Sequence, residues 1–276
     1  MLNALTIDVE EWFHVCGVPS LDAAHWDALP SRVESTTTLL LDDLAAAGVT
    51  ATWFTLGWVA QRHPALVERI VADGHQLASH GFSHTRVYEL DEPGFARDLQ
   101  AGVDALAAAG GPAVTAFRAP EWSINDRSLW ALDVLARHGI RTDASMAPLK
   151  MVGSPSYPRR PHVRTTAAGS IVEAPPLVAD RFGQVVPLGW GWGLRMSSPR
   201  RVLRAIEHTN REGAPAVLAI HPWELDPDPP RVPLPAGLRF AHYFRLDGFR
   251  ARLREIVRGA AFGPLDRAVA HVARAA

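Results

Sequence analysis

Short apolar runs alternate along the chain with longer segments that carry apolar residues at helical spacing. The first run, residues 2–7, is apolar almost throughout, which is typical of a strand buried on both faces. The pattern predicts strands at residues 2–7, 50–56, 75–79, 114–117, 140–143 and 216–220. It predicts helices at residues 31–47, 64–72, 93–109, 126–138, 198–212 and 247–258. This alternation indicates a mostly parallel α/β sheet with crossover helices.

Glycine and proline indicate where the regular elements stop. Gly48, Gly139 and Gly213 are predicted to end three helices, and Ser198 followed by proline is typical of a helix start. Residues 11–30 have no clear period and are expected to form a loop that lines or covers a site. Residues 144–197 predict short strands and loops, and five prolines within residues 226–235 predict an irregular excursion.

Composition narrows the class of protein. With 276 residues, no internal repeat and no convincing linker, the chain is expected to form a single large domain. The formal net charge of −1 argues against nucleic acid or an anionic membrane as the main partner. The single Cys16 excludes an intramolecular disulfide and a cysteine-based zinc site.

The N-terminal residues and the lengths of the apolar runs indicate where in the cell the protein is expected. Acidic residues begin at Asp8, without a basic segment or a long apolar segment of the kind that signal peptides have. No apolar run reaches the roughly 18 residues that indicate a membrane span. We therefore expect a cytoplasmic protein without a membrane span.

Two histidines of the stretch His80-Gly81-Phe82-Ser83-His84 form the first candidate metal site. They could converge on one divalent metal if the backbone coils through a single helical turn. In a chain with 12 histidines the pair could equally consist of two ordinary imidazoles. Carboxylates that follow the first strand, Asp8, Glu10 and Glu11, are candidates for a third ligand.

Other polar residues also follow predicted strands. The residues in this position are Asp8, Glu10, His80, His84, Arg118 and His221. Parallel strands end on one face, so these side chains are expected to meet there. Two histidines and a carboxylate suit metal-assisted hydrolysis, in which zinc lowers the pKa of water from about 15.7 to about 7. Asp8, if it is not a ligand, can act as general base, and His221 can protonate the leaving group.

Several of these segments resemble the successive motifs of the polysaccharide deacetylase family, the NodB-homology or carbohydrate esterase family four proteins. The segments are residues 6–10, 79–84, 117–120 and 220–222. The chain resembles most the subgroup found in exosortase (PEP-CTERM) and exopolysaccharide loci, through its Asp-Val-Glu opening and a C-terminal extension. Residues 189–196, 221–224 and 239–243 look like that extension, and we assign residues 222–276 to it.

The resemblance implies a distorted β/α barrel that removes N-acetyl groups from an amino sugar with one divalent metal. By position, it assigns Asp8 as catalytic base, His80 and His84 as metal ligands, and His221 as general acid. Arg118 would orient the base and balance its charge. Zinc is the first choice of metal, with cobalt, nickel, manganese and iron also compatible with this ligand set.

One position departs from the family pattern. Many members carry the metal-binding carboxylate directly after the base, where this chain has Val9. We predict that Glu10 replaces it, because residues i and i+2 of an extended segment point to the same side. Glu11 is the alternative ligand.

Tryptophans could form the walls of a sugar-binding cleft, since sugars present apolar faces. Trp12, Trp122 and Trp223 are the candidates, although tryptophans also serve as core residues in a chain with nine of them. Asp143 and Glu173 are strand-end acids that we leave outside the catalytic set.

The favoured function is therefore metal-dependent deacetylation of an N-acetylated carbohydrate, either a polysaccharide or its lipid-linked precursor. A deformylase or cyclic-amide hydrolase on the same fold is an alternative. A catalytically silent sugar-binding protein is another, although it would need neither a base nor an acid.

Overall fold

β1 is the strand around which the sheet is built. The computed structural model describes residues 1–274, and within this range it has eleven strands and ten α-helices. The strands are β1 Asn3–Val9, β2 Thr52–Thr55, β3 Gln76–Ser79, β4 Ala116–Phe117, β5 Thr142–Asp143, β6 His162–Thr166, β7 Gly169–Glu173, β8 Val178–Arg181, β9 Gln184–Pro187, β10 Val217–Ile220 and β11 Phe262–Gly263. All seven residues of β1 are buried.

The helices lie between the strands in the chain. They are α1 Val33–Ala47, α2 Gly57–Arg62, α3 Pro64–Ala72, α4 Glu92–Ala108, α5 Ala131–Arg137, α6 Gly191–Met196, α7 Pro199–Arg211, α8 Ala236–Tyr243, α9 Phe249–Gly259 and α10 Leu265–Arg274. None of the helices in residues 1–274 combines the length and hydrophobicity needed to cross a membrane.

The main sheet is almost entirely parallel. Its order is β10-β1-β2-β3-β4-β5-β7-β6, with β11 also paired to β1, and only the β6–β7 pair is antiparallel. Beyond β7 the chain returns to the other end of this order, because Leu177 N donates to Val217 O and Trp190 forms a bridge with Ala219. The sheet therefore curves into a distorted barrel, and the carboxyl ends of β1, β3, β4 and β10 share one face.

The predicted α/β class with a mostly parallel sheet is confirmed, and most boundaries agree within a few residues. The predicted helix at 126–138 is too long, because the preceding residues form turns in which Ser128 Oγ donates to Ser123 O. The sequence pattern missed α2, α6, α8 and α10. Residues 144–197 do hold short strands and a short helix, and residues 226–235 are irregular.

Candidate metal centre and active site

Three side chains converge at the carboxyl ends of β1 and β3. Glu10 Oε2 lies 2.6 Å from His84 Nε2 and 3.6 Å from His80 Nε2. Ligand atoms from the three residues all lie within 4.8 Å of one another, and each residue is at most 6 % exposed. Two imidazole nitrogens and one carboxylate oxygen at this spacing suit a divalent metal with positions left for water and substrate.

The histidines converge although the backbone between them does not coil through a helical turn. The loop after β3 is irregular, with φ of +74° at Gly81 and +55° at His84. Asp98 on α4 holds this loop, because its carboxylate accepts the backbone N–H groups of Phe82 and Ser83, both at 3.0 Å. These tertiary contacts hold the loop in place of the hydrogen bonds of a helical turn.

Neighbouring groups fix the orientation of both histidine ligands. His80 Nδ1 lies 2.7 Å from Arg118 O, so this nitrogen donates and Nε2 is left to face Glu10. His84 Nδ1 lies 3.6 Å from Cys16 Sγ, and its ring stacks on His14 at 5.5 Å. Burial lowers the pKa of His84, but Glu10 and Cys16 together outweigh burial and raise that pKa well above its usual value.

Glu10 is the carboxylate of this cluster, and Glu11 has another role. The Glu11 carboxylate accepts the hydroxyl of Ser31 and the backbone N–H of Arg32, so it binds the chain just before α1. Burial raises the pKa of Glu10, but the charges of His84 and His221 outweigh this and hold it well below its usual range. Glu10 is therefore ready to act as an anionic ligand.

Asp8 and Arg118 form a buried ion pair beside the metal ligands. Arg118 NH1 donates to Asp8 Oδ1 at 2.7 Å and to Thr6 Oγ1 at 2.8 Å, and Arg118 Nε donates to Ala144 O at 3.0 Å. The guanidinium also lies over the ring of Phe54, 4.4 Å from its centroid. These contacts leave Asp8 Oδ2 free to face the site.

His221, after β10, faces the same point from the other side of β1. Its Nε2 lies 3.8 Å from Asp8 Oδ2 and 3.6 Å from Glu10 Oε1. Its side chain is 21 % exposed, more than those of Asp8 and Glu10 at 5 % and 7 %. Burial lowers the pKa of His221, but Glu10, Glu224 and Asp8 outweigh burial and raise that pKa to about 9. A protonated His221 can donate a proton to a bound substrate.

The three candidate tryptophans occupy different environments. Trp12 was a candidate for a wall of the site. It is 1 % exposed and its Nε1 donates to Pro30 O, so it lies in the core instead. Trp122 stacks on Trp190 with centroids 4.9 Å apart. Trp223 stacks on His221, and its Nε1 donates to Glu10 Oε1 at 3.3 Å, so it supports the ligand set.

Trp122 also shows backbone strain next to the site. Glu121 and Trp122 both have positive φ, 51° and 56°, which non-glycine residues rarely adopt. Glu121 is held in this conformation because its carboxylate accepts from Arg86 Nε at 2.6 Å and from Cys16 N at 3.2 Å. The turn places the Trp122 ring 4.7 Å from the guanidinium of Arg118.

Asp143 and Glu173 lie opposite each other in the register of β5 and β7. The Asp143 carboxylate accepts the hydroxyl of Ser145, and Glu173 Oε1 accepts Met146 N at 3.1 Å. Burial raises the pKa of both acids, and for Glu173 the neighbouring Asp143 raises it further. The protonated form of Glu173 is therefore favoured in the folded protein.

Sequence reasoning missed Glu224, Arg195 and Asp98, which support the site. Glu224 lies three residues after His221 in a short 3-10 turn, and its Oε2 lies 3.1 Å from His221 Nδ1. An acid three residues after a candidate histidine was an available signal. The sequence gives no comparable signal for Arg195 or Asp98.

Two family models match the chain. Residues 23–142 match the polysaccharide deacetylase model, and residues 144–270 match a domain of unknown function, DUF3473. A chitooligosaccharide deacetylase of Rhizobium leguminosarum bv. trifolii is 33 % identical over 149 residues, 54 % of this chain and 62 % of that protein. A chitin deacetylase of Pestalotiopsis sp. is 34 % identical over 46 % of this chain and 43 % of its own length. The chain thus spans less than two thirds of these curated relatives.

Solved structures share the fold across nearly the whole chain. A candidate polysaccharide deacetylase from Mycobacterium smegmatis has a TM-score of 0.64 at 21 % identity, covering 99 % of this chain and 90 % of its own. A family 4 carbohydrate esterase from Streptomyces lividans, in complex with acetate, has a TM-score of 0.51 at 19 % identity, covering 94 % and 86 %. A CE4 family pseudoenzyme from Bacillus anthracis also reaches 0.51 at 14 % identity, covering 97 % and 65 %, so the fold alone does not establish catalysis. These matches show that residues 23–142 are similar to polysaccharide deacetylases and that the chain shares the fold of the solved structures.

Proposed function

We propose that this protein is a metal-dependent hydrolase that removes the N-acetyl group from an amino sugar of a polysaccharide or of its lipid-linked precursor. The observation that carries the proposal is the meeting of Glu10, His80 and His84 with Asp8 and His221 at one point. The names of the relatives support the substrate class, since they act on chitooligosaccharide and chitin. Membership of the exosortase-locus subgroup and an extension at 222–276 stay predictions.

The donor set fits a divalent metal. Glu10, His80 and His84 would hold it, because their donor atoms already converge and their other ring or carboxylate atoms are bonded to the protein. When bound, a metal such as Zn²⁺ lowers the pKa of a water molecule to about 7 and polarises the acetyl carbonyl. Cobalt, nickel, manganese and iron are the other metals to test.

Asp8 is placed to take a proton from the attacking water. Its Oδ1 is bound to Arg118, which fixes the carboxylate and balances its charge, while Oδ2 points toward His221. As water adds to the acetyl carbon, one of its protons passes to Asp8. Arg118 itself stays bonded to Thr6 and Ala144, so the base keeps its orientation.

His221 is placed to complete the reaction. Arg118 binds one oxygen of Asp8, and His221 Nε2 faces the other oxygen. The raised pKa of His221, about 9, keeps the imidazole protonated near neutral pH. It donates that proton to the amide nitrogen as the C–N bond breaks. The products are acetate and the free amine of the sugar.

The first test measures metal content and acetate release together. We expect about one metal per chain in the wild-type protein and much less in Glu10→Ala and His84→Ala, because each variant loses one of three ligands. Acetate release from N-acetylated chitooligosaccharides should stop in both variants and on chelation. His208→Ala, at an exposed position on α7, is the matched control and should keep both metal and activity. Activity that survives chelation and both ligand substitutions would refute the proposal.

A further inference from the structure

Glu224 lies at the centre of a buried hydrogen-bond chain that ends on His221. Its Oε2 accepts the backbone N–H of His221 at 3.0 Å and lies 3.1 Å from His221 Nδ1. Its Oε1 accepts Arg195 Nε at 2.8 Å. Glu224 is 0 % exposed and Arg195 is 1 % exposed. Both carboxylate oxygens are therefore in use, and the ring of His221 is left with Nε2 turned toward Asp8.

Arg195 is itself fixed by the end of α8. Its NH1 donates to Phe244 O at 2.5 Å and to His242 O at 3.3 Å, and its NH2 donates to Ala241 O. A helix leaves its last carbonyl groups without partners, so a guanidinium at this end satisfies them. Arg195 therefore holds Glu224 in a fixed position relative to α8.

Ring stacking connects the same elements a second time. Trp223 lies between His221 and His242, with ring centroids 5.3 Å and 4.4 Å away and interplanar angles of 27° and 24°. His221 is thus held by Glu224 at Nδ1 and by Trp223 across its face. Rotation of the imidazole would break both contacts.

We infer that Glu224 and Arg195 are positioning residues: Glu224 fixes the imidazole of His221 so that Nε2 faces the substrate, and Arg195 fixes Glu224. This inference rests on the proposed function, in which His221 protonates the leaving nitrogen. His221, Glu224 and Arg195 all lie within residues 144–270, the segment that matches the domain of unknown function. That segment therefore supplies the acid side of the deacetylase site.

The test is a double-mutant cycle between Glu224 and His221 in the full-length, metal-loaded protein. Glu224→Ala should lower kcat for acetate release about 10-fold to 100-fold, with little change in KM or metal content, because only proton delivery is impaired. In the His221→Ala background, adding Glu224→Ala should change kcat by less than about twofold, since Glu224 acts through His221. Asp228→Ala, an exposed acid in the same segment, is the control and should leave kcat unchanged.

Glu224→Gln guards against a loss of folding. Glutamine keeps the volume of the side chain but replaces one of the two accepting oxygens with an NH₂ group, which donates. The side chain must therefore lose its bond to either His221 or Arg195. We expect the same fall in kcat with a cooperative unfolding transition retained. Additive losses from Glu224→Ala and His221→Ala would overturn the inference while leaving the proposed function in place.

A crystal structure of the Glu224→Ala variant tests the positioning role of Glu224 without an activity measurement. We expect the His221 ring to leave the position in which Nε2 lies 3.8 Å from Asp8 Oδ2. An imidazole that keeps this position in the variant would overturn the inference, even if the wild-type protein released no acetate.

Discussion

Buried acids in this protein divide into two kinds according to the charge beside them. Burial alone raises the pKa of a carboxyl group. Glu10 and Glu224 have lowered pKa values because cationic partners outweigh burial, whereas burial raises the pKa of Asp143 and Glu173, and for Glu173 the neighbouring Asp143 raises it further. The first pair can serve as ligand and anchor. The second pair accepts from a hydroxyl and a backbone N–H and, among the described residues, from no cation, so the protonated form of Glu173 is favoured.

This difference predicts a pH dependence of stability that Glu173→Gln should remove. The pKa of Glu173 is raised above its ordinary 4.5 in the folded protein, so folding retains a proton that the unfolded chain releases. The stabilisation is complete below the ordinary pKa and is lost as pH rises through the raised one, at about 1.4 kcal/mol per pH unit. Glutamine carries a permanent N–H in place of that proton.

Urea unfolding between about pH 5 and about pH 8 measures the effect. The free energy of unfolding of Glu173→Gln should rise relative to wild type as pH increases. Glu207→Gln, an exposed control on α7, should show no such trend. A constant difference between Glu173→Gln and wild type over this range would contradict the raised pKa of Glu173.

The candidate-site residues that sequence reasoning named stand at or after strand ends, and it missed residues that contact them through tertiary structure. Glu10 was predicted as the replacement ligand because alternation along an extended strand fixes its side, and it does lie in the cluster with the two histidines. Arg195 gave no such signal, since its partners lie 29 or more positions away. Trp12 was misplaced because nothing in the sequence distinguishes a buried tryptophan from one that lines a cleft.

At the scale of elements, the loop after β3 depends on close contact with α2 and α4. A Cβ on Gly102 would lie 2.7 Å from Gly81 O, and a Cβ on Gly57 would lie 2.8 Å from the Cα of Gly102. Glycine therefore lets the two helices approach the loop that carries both histidine ligands. The sequence pattern missed α2, because six residues are too few to establish a helical period.

Asp98→Ala should loosen this loop and weaken metal binding. The Asp98 carboxylate accepts the N–H groups of Phe82 and Ser83, between the two histidine ligands. Its loss should lower metal affinity about 10-fold to 100-fold, the usual cost of removing a group that orients ligands. Calorimetric titration of the metal-free protein with Zn²⁺ measures the change.

Asp104→Ala is the matched control for that titration. Asp104 lies on the same helix, and its carboxylate accepts from Gln100 at the surface. Its substitution should leave the affinity for Zn²⁺ unchanged. Equal affinities in both variants would show that Asp98 has no part in holding the ligands.

At the scale of the whole molecule, neither matched segment contains a complete site. The deacetylase match at residues 23–142 includes His80, His84 and Arg118, but Asp8 and Glu10 precede it and His221 follows it. The strands are divided in the same way, since β10, from the second segment, pairs with β1 over four residues. Hydrophobic patterning predicted β10 and its place in a parallel sheet, but it could not predict that β10 lies beside β1.

This arrangement predicts that residues 1–143 do not fold alone. Without the rest of the chain, β1 loses β10 and β11, and the edge of a fully buried strand is left with unpaired backbone groups. We expect the fragment to show no cooperative thermal transition by circular dichroism and to release no acetate. Co-expression with residues 144–276 as a separate chain should partly restore the thermal transition and acetate release, because β10 and β11 can then pair with β1. A fragment of residues 1–143 that unfolds cooperatively by itself would show that this segment is an independent domain. Residues 144–276 would then only add His221 to a sheet that is already formed.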